Sequence, residues 1–582
     1  MAKKRTLKLL SIVCAAAFFT GACGSGGGDA SSDPSGSQQE SKTEGTASGQ
    51  SDEKPSEESS ESAANDQAAD NGGLITITTV VSLSDAMQQY IGVKDDVQTN
   101  NSWYNGYEKD LGIHVENLWS VPGSQYQDKL NAQISAGDIP DVCSVSSAQL
   151  KTLVDNGMVM DLNDLFEQYA SDFTKEMMKA DEYTALNQCR MNGGLYALPN
   201  VSGNHDAVPL MWIRRDWMEK LNKTAPTTLA ELEDLAQAFV TQDPDGNGEN
   251  DTYGIAFSSD IYGNGLCDMT GIFEMFGAHT GWVEKDGKAA FGLIQPEVKE
   301  ALTAANRWYQ SGILDKEFIA KDSSKVAEDI VAGKVGITFG QHWTAFWPFP
   351  DAKNLNPEAD WIPYPIPGLD SDLPQVMVGG SAGGFYVVSI DCEHPEAIIQ
   401  LYNYYYQKDC ALSPDYDSTY HTTSSTAMEH PEWAFDWAVV KSFYPQQNLY
   451  IYRGVKAYLD GDQTQLENSW VSDNAGQVES YINDPENNPS YYASYIWSGP
   501  EGAFSVVDSY EQNNQRLLNL YTLGSTEGMA SYSVILDQLI QENFTKIITG
   551  DVSLDTFDDF AAQWTSLGGE QITQEVNQAI GR

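Results

Sequence analysis

From Leu74 onward, short β-branched runs alternate with longer stretches whose apolar residues recur every three or four positions. "LITITTVVSL" and "GIHVENLWSV" read as strands. "SQYQDKLNAQISAGDIPDVCSV" reads as a helix ended by Gly137, a turn at Pro140 and a buried strand. "LYALPNVSG", "AVPLMWI" and "GGFYVVSI" are further strands, and "HPEAIIQLYNYYYQ" is a helix. "TTLAELEDLAQAFVT" is strongly marked: Thr228 caps it, Glu231 completes a capping box, and Leu229, Leu232, Leu235 and Phe239 make its apolar face. "QPEVKEALTAANRWYQSGIL", "KVAEDIVAGKVGITFG", "SYSVILDQLIQENFTKIITG" and "LDTFDDFAAQWTSLGG" add helices, the second running into a strand. This rhythm predicts an α/β fold with parallel strand pairs. At 582 residues the chain is long for one such domain, so two lobes are expected. The aromatic, turn-rich stretch 412–508 gives no ordered pattern.

Ahead of Leu74 this pattern is missing. "MAKKRTLKLLSIVCAAAFFTGAC" has a basic start, an apolar run and small residues before Cys23, which predicts a signal peptide over residues 1–22. Thr20-Gly21-Ala22-Cys23 resembles the bacterial lipobox, although its first position is not the usual Leu. That resemblance implies a lipid on Cys23. Residues 23–73 lack aromatic and large aliphatic side chains, so they cannot offset the entropy of folding and form an acidic, Ser/Gly-rich tether. Its root-mean-square span is on the order of 40 Å. The expected location is therefore the outer face of a cell membrane, with the folded body starting near Leu74.

Charge and cysteine content narrow the partners. A net charge of -50 disfavours nucleic acid and anionic lipid, whose phosphates need Lys and Arg. Cys143, Cys189, Cys267, Cys392 and Cys410 are scattered and form no CxxC pairs, so neither a zinc site nor a disulfide framework is indicated.

Five blocks then occur in a familiar order: "YQDKLNAQISAGDIPDV", "GLYALP", "MWIRRDWMEKLNKTAPTTLAELEDLAQAFVTQDPDGNGENDTYGI", "VAGKVGITFGQHW" and "FTKIITGDVSLDTFDDFAAQWTSLGGEQITQEVN". Together they resemble the family 1 extracellular solute-binding proteins, lipoproteins that deliver carbohydrates to ABC importers. The resemblance implies a two-lobed, periplasmic-binding-protein-like α/β fold of type II, as in maltose-binding protein, with a ligand cleft between the lobes. It places one lobe at about 74–203 and 380–411 and the other at about 204–379, with 412–582 mixed and ending in helices. It further implies a monomer that partners permease subunits and binds without catalysing.

"TQDPDGNGENDTYGIAF" carries oxygen side chains at alternate positions, the way a calcium loop gathers six to eight oxygens. Asp243, Asp245, Asn247, Glu249 and Asp251 fall at the first, third, fifth, seventh and ninth positions. The twelfth, where an EF-hand has a bidentate Glu, is Gly254. Related solute-binding proteins use an acid directly after the ninth position, and here that residue is Thr252. Asp260, Asp268 or water is left to complete the shell of a structural calcium. The competing reading is a metal-free Asx-turn loop.

Sugars offer apolar ring faces rimmed by hydroxyls, so their sites pair flat aromatics with polar side chains. "GQHWTAFWPF" follows a strand ending near Gly340, which makes His342, Trp343 and Trp347 the leading candidates. The family resemblance assigns Trp343 the stacking role, whereas spacing alone also allows Trp343 and Trp347 to be one core face of a helix. Asn200, His205 and Trp212 flank the first lobe crossing, Tyr262 follows the acidic loop's strand, Ser146 ends the strand after "IPDV", and Trp497 lies in "YIWSGPEGAF". The expected function is capture of an oligosaccharide for import. A surface glycan-acting enzyme and a binder of a non-sugar such as a peptide remain open, since 83 acidic residues could contain a facing carboxylate pair.

Overall fold

The computed structural model describes residues 73–180, 184–201, 206–263, 265–370, 372–421 and 428–582. The signal segment, Cys23, the tether and His205 therefore lie outside the described residues.

Two separate apolar cores divide the chain. The first gathers buried residues from Ile77 to Val201 and again from Phe385 to Val440. Its sheet has five strands in the order Ile113–Pro122, Ile75–Leu83, Val142–Val145, Ala382–Val388, Leu198–Val201. The first three run parallel, and Ala382–Val388 runs antiparallel to both its neighbours. Parallel pairing needs crossover helices, and Asp85–Val93 and Gly123–Ala136 supply them. Gly137 stops the second in the left-handed region (φ 75°), which glycine adopts without a Cβ clash.

The second core runs from Val208 to Val378 and from Leu449 to Val576. Its sheet has the order Trp361–Tyr364, Leu210–Arg214, Val335–Gly340, Tyr253–Ala256, with only the last pair parallel. All six residues of Val335–Gly340 are buried, as expected for a central strand covered on both faces. The stretch 412–582 thus divides: Tyr420 to Val440 packs into the first core, and Leu449 onward into the second.

Three segments cross between the cores: 201–208, 378–385 and 440–449. The third is tied to the first. Ser442 Oγ accepts from the Val201 N–H (3.3 Å) and from the Tyr402 hydroxyl (2.7 Å), and the Phe443 N–H donates to Val201 O (3.1 Å). Gln188 pins the second by accepting from the Ala382 N–H (2.9 Å). Away from the crossings, the Ser525 N–H of the second lobe reaches Ser147 Oγ of the first (3.3 Å).

Candidate functional site

A recess of ≈ 180 Å³ opens in the second lobe beside two crossings, with Ala207 from one and Gly379 from the other on its wall. Strand Val335–Gly340 delivers Gly340 and Gln341 to it, and the turn before helix Thr270–Met275 delivers Gly265 and Asp268. Glu274, from that helix, and Asn519 complete its polar wall. This is the carboxyl end of a strand meeting a chain crossing, a place where open α/β sheets bind ligands.

Each polar side chain there is oriented by the protein. Asp268 accepts from the Gly265 N–H and the Thr270 N–H (both 2.9 Å), which fixes the turn. Gly265 has φ +73°, and a Cβ on it would lie 2.8 Å from Gln341 Cδ, so only glycine lets that amide close the wall. Gln341 Oε1 accepts from Trp343 Nε1 (2.9 Å), leaving its Nε2 as the group to offer a ligand. Asn519 Oδ1 accepts from the Trp282 N–H (3.0 Å) and the Tyr521 N–H (3.2 Å), which likewise leaves its amide nitrogen. Glu274 is 1% exposed and its Oε2 meets His279 Nδ1 at 2.5 Å. Burial raises its carboxyl above the usual range, opposed by His279.

None of the eight sequence-nominated binding residues that the structure describes lines this recess, and the structure places them variously. Trp343, half-buried on the second core, is bonded to the lining Gln341. Trp347 is 40% exposed, so the two tryptophans do not share one buried face. His342 and Trp497 belong to the interior instead. The Trp497 indole donates to His342 Nδ1 (3.2 Å), and Phe504 packs on both rings. Trp212 is fully buried, donates to Gly340 O (3.3 Å) and packs on Phe349 at 4.7 Å. An alternating strand covered on both faces buries every large side chain, so Trp212 was a core residue that composition made look like a ligand contact. Tyr262 donates to Asp537 (3.0 Å) on helix Glu527–Thr549. Ser146 caps helix Ser147–Asp155 in a capping box with Gln149. Asn200 sits on the edge strand facing Gly384. His205 lies outside the described residues.

Sequence reading missed Glu274, Asn519 and Gln341. Gln341 had a signal, since it stands one residue before the nominated His342; the other two come from separate parts of the chain and only the fold joins them.

A third carboxylate lies at the first crossing. Asp206 is fully buried, neither of its oxygens has a hydrogen-bond partner among the described residues, and burial pushes its carboxyl up to about 7. Arg516 and Arg453 oppose that shift and Glu511 adds to it.

The acidic loop lies elsewhere on the same lobe, between helix Leu229–Thr241 and strand Tyr253–Ala256. Asn247 Nδ2 reaches Asp245 (2.7 Å) and Asp251 (3.1 Å), the Gly248 N–H reaches Asp243 (3.2 Å), and Asp243 Oδ1 is buried without a partner among the described residues. Desolvation raises the Asp245 carboxyl, and the neighbouring Asp243 and Asp251 push it further, the mark of crowded like charges. In oxygen type and crowding the loop suits a hard cation. It contains no ready cluster of three acids, however, and the described residues hold none elsewhere. The two positions without an acid have a packing reason. Thr252 Oγ1 is buried and donates to Phe239 O (2.7 Å), and a Cβ on Gly254 would collide with the Ala236 carbonyl. Both residues serve the helix-to-strand contact. Asp268 serves the turn at the recess, through the Gly265 and Thr270 N–H groups.

The five cysteines are free and buried, and burial pushes the Cys143 and Cys267 thiols up to about 12. No helix among the described residues is long and apolar enough to cross a membrane.

Two packed lobes, three crossings and a recess beside them define a solute-binding protein. Residues 81–409 match the model of the family described as bacterial extracellular solute-binding protein, and the chain belongs to that family. It is 30% identical over 229 residues to the fructooligosaccharide ABC transporter substrate-binding protein FusA of Streptococcus pneumoniae, covering 37% of this chain and 41% of FusA. It is 24% identical over 498 residues to the polygalacturonan/rhamnogalacturonan-binding protein YtcQ of Bacillus subtilis, covering 81% and 86%. The chain thus spans less than half of FusA in that alignment and most of YtcQ. Among solved structures, S. pneumoniae FusA in complex with kestose superposes with a TM-score of 0.55 at 18% identity, covering 87% of this chain and 99% of that one. The alginate-binding protein AlgQ2, solved without calcium ion, gives 0.56 at 15% identity, covering 87% and 98%. These likenesses establish the two-lobed fold.

Proposed function

We propose that this protein captures an oligosaccharide between its lobes and hands it to an ABC importer, held outside the cell by a lipid on Cys23. The observation that carries the reading is the recess itself: a polar, preoriented wall set where two of the three crossings leave the second core. A lobe that turns about such crossings can close on a ligand and present a new surface to a permease. The names of FusA and YtcQ both specify a saccharide. Trp343, half-buried and tied to Gln341, supplies the aromatic face. The chain acts by binding, not turnover.

The test is calorimetry of the folded chain against fructo-, gluco-, galacto- and manno-oligosaccharides, with recovery of the ligand afterwards. Binding with the sugar returned intact is expected. Cleavage of the bound sugar would make it an enzyme instead. Trp343→Ala should weaken the best ligand at least tenfold, which is about 1.4 kcal/mol; unchanged affinity removes Trp343 from the site.

We further propose that the acidic loop takes one calcium ion through Asp243, Asp245, Asn247, Asp251 and the Glu249 carbonyl, with water in place of the missing acid. The ion would join helix Leu229–Thr241 to strand Tyr253–Ala256 and take no part in sugar contact.

A further inference from the structure

One segment of the second lobe belongs to two surfaces. Strand Arg516–Leu518 pairs in parallel with Val376–Val378, where the second crossing begins. The chain after it does not cross. It reaches out to the first lobe and turns back into helix Glu527–Thr549 of the second core. At its outer end the Ser525 N–H donates to Ser147 Oγ (3.3 Å), on the first turn of helix Ser147–Asp155. Gly524 lies so close to the first lobe that a Cβ there would stand 2.8 Å from Met191 Cε and 3.3 Å from Gln188 O. Residues 519–526 thus rest on the first lobe without continuing into it.

The inner end of the same segment is the recess wall. The Asn519 N–H donates to Val378 O (3.0 Å) and the Leu520 N–H to Trp282 O (2.9 Å), which seats the segment beside the lining residues Gly379 and Gly281. Asn519 Oδ1 accepts from the Tyr521 N–H as well as from the Trp282 N–H, so the direction of its amide depends on where Tyr521 sits. Tyr521 is buried, and its hydroxyl donates to Gly524 O (2.6 Å). A run of contacts therefore leads from Ser147 and Met191 through Gly524 and Tyr521 to Asn519 in the recess. Its outer contact is one neutral hydrogen bond plus side-chain packing, weak enough to open and close with the lobes.

We propose that residues 519–526 are a detachable fourth link between the lobes. Docked on Ser147, Gln188 and Met191, they hold the lobes closed and set the Asn519 amide; undocked, they release both. The three crossings join the lobes in every state, so they cannot tell open from closed, whereas this strap can. A ligand touching Asn519 favours the docked strap, and a docked strap favours the ligand by the same factor. The strap's hold on the lobes is independent of any ligand; its coupling to the recess rests on the carrier reading above.

Single-molecule energy transfer on the full chain tests it, with dyes on clickable amino acids introduced at Lys109 and Glu317, exposed positions of the first and second lobes. Without ligand the unaltered chain should populate a closed state. Ser147→Ala, which removes the acceptor and keeps the Ser146 cap of its helix, should lower the closed-to-open ratio by about threefold or more. Gly524→Leu, which wedges the strap off Met191, should lower it further. The absence of a closed state without ligand, or an unchanged ratio in both variants, overturns the strap. The same variants are then mixed with fructo-, gluco-, galacto- and manno-oligosaccharides in stopped flow. Neither residue lines the recess, yet the bound sugar should leave about threefold faster from both. An unchanged dissociation rate overturns the coupling. No binding by any of these sugars overturns the carrier reading, and the ligand-free ratios still decide the strap. Should Gly524→Leu lose its melting transition, Ser147→Ala decides alone.

Discussion

Asp243, Asp245 and Asp251 crowd one another on a largely exposed loop, whereas Asp268 and Glu274, in the same lobe, are buried at the recess. The loop acids meet Asn247 and the Gly248 N–H, leaving only Asp243 Oδ1 buried without a partner among the described residues. The recess acids have no such freedom. The protein fixes both Asp268 oxygens and holds the buried Glu274 carboxyl through His279, beside the Met377 backbone. Burial, not acidity, separates a group that can staple a fold from one that can read a ligand.

The strongest way to break that contrast is Asp206, a carboxylate buried at a crossing with neither a partner ligand nor a metal loop around it. Its folded value of about 7 lies above the ordinary 3.8, so the native chain holds a proton there that the unfolded chain has lost. The associated stability is complete below about pH 4 and disappears as pH rises through about 7. The full shift corresponds to an upper bound of about 4 kcal/mol. Asp206→Asn should therefore raise the melting temperature at pH 8 and change it little at pH 4. Arg453 keeps Asp508 as partner and Arg516 keeps Glu511, so the variant strands neither cation. An equal gain at both pH values would mean that burial does not govern Asp206.

This contrast also explains what the sequence made legible. The two lobes, the strands through Ala382–Val388 and the capped helix Leu229–Thr241 follow from local periodicity and turn residues, which act within a few positions. Even there the detail differs: Glu231 closes its box on the Thr227 N–H (2.9 Å), one residue before the cap. The loop is legible because its residues are consecutive. The recess is not, because Gly265, Glu274, Gln341 and Asn519 come together only through the fold. Trp212, His342 and Trp497 were nominated because large aromatics suit both cores and sugar sites, and sequence carries no measure of burial.

A matched pair of glycines sharpens the comparison at somewhat smaller cost. Gly265 at the recess and Gly248 in the loop both have positive φ, +73° and +81°. Alanine at either pays about 1 kcal/mol for the left-handed backbone. At Gly248 nothing lies within 4 Å of the new Cβ, and the cost should end there. At Gly265 the Cβ meets the end of the Gln341 side chain, which must shift and so displaces the amide that holds Trp343. Chemical denaturation should rank Gly265→Ala as the more damaging. Calorimetry should find sugar affinity lost only there; equal affinity loss in both variants would refute the separation of loop from recess.

A last measurement tests the loop by itself. If calcium binds the native loop and not the unfolded chain, 100-fold excess over its dissociation constant adds about 2.7 kcal/mol to the lobe that carries it. Chelator-treated protein should then melt a few degrees lower than protein with calcium, and Asp245→Asn should abolish most of the difference. Magnesium should substitute poorly, because it demands a near-octahedral shell that a loop without its bidentate acid cannot shape. Sugar affinity measured well below the melting transition should not respond to calcium, since no loop residue touches the recess. A melting temperature indifferent to calcium would leave the loop a metal-free Asx turn. A sugar affinity that followed calcium would instead join the two sets of acids, and the division drawn between staple and reader would fail.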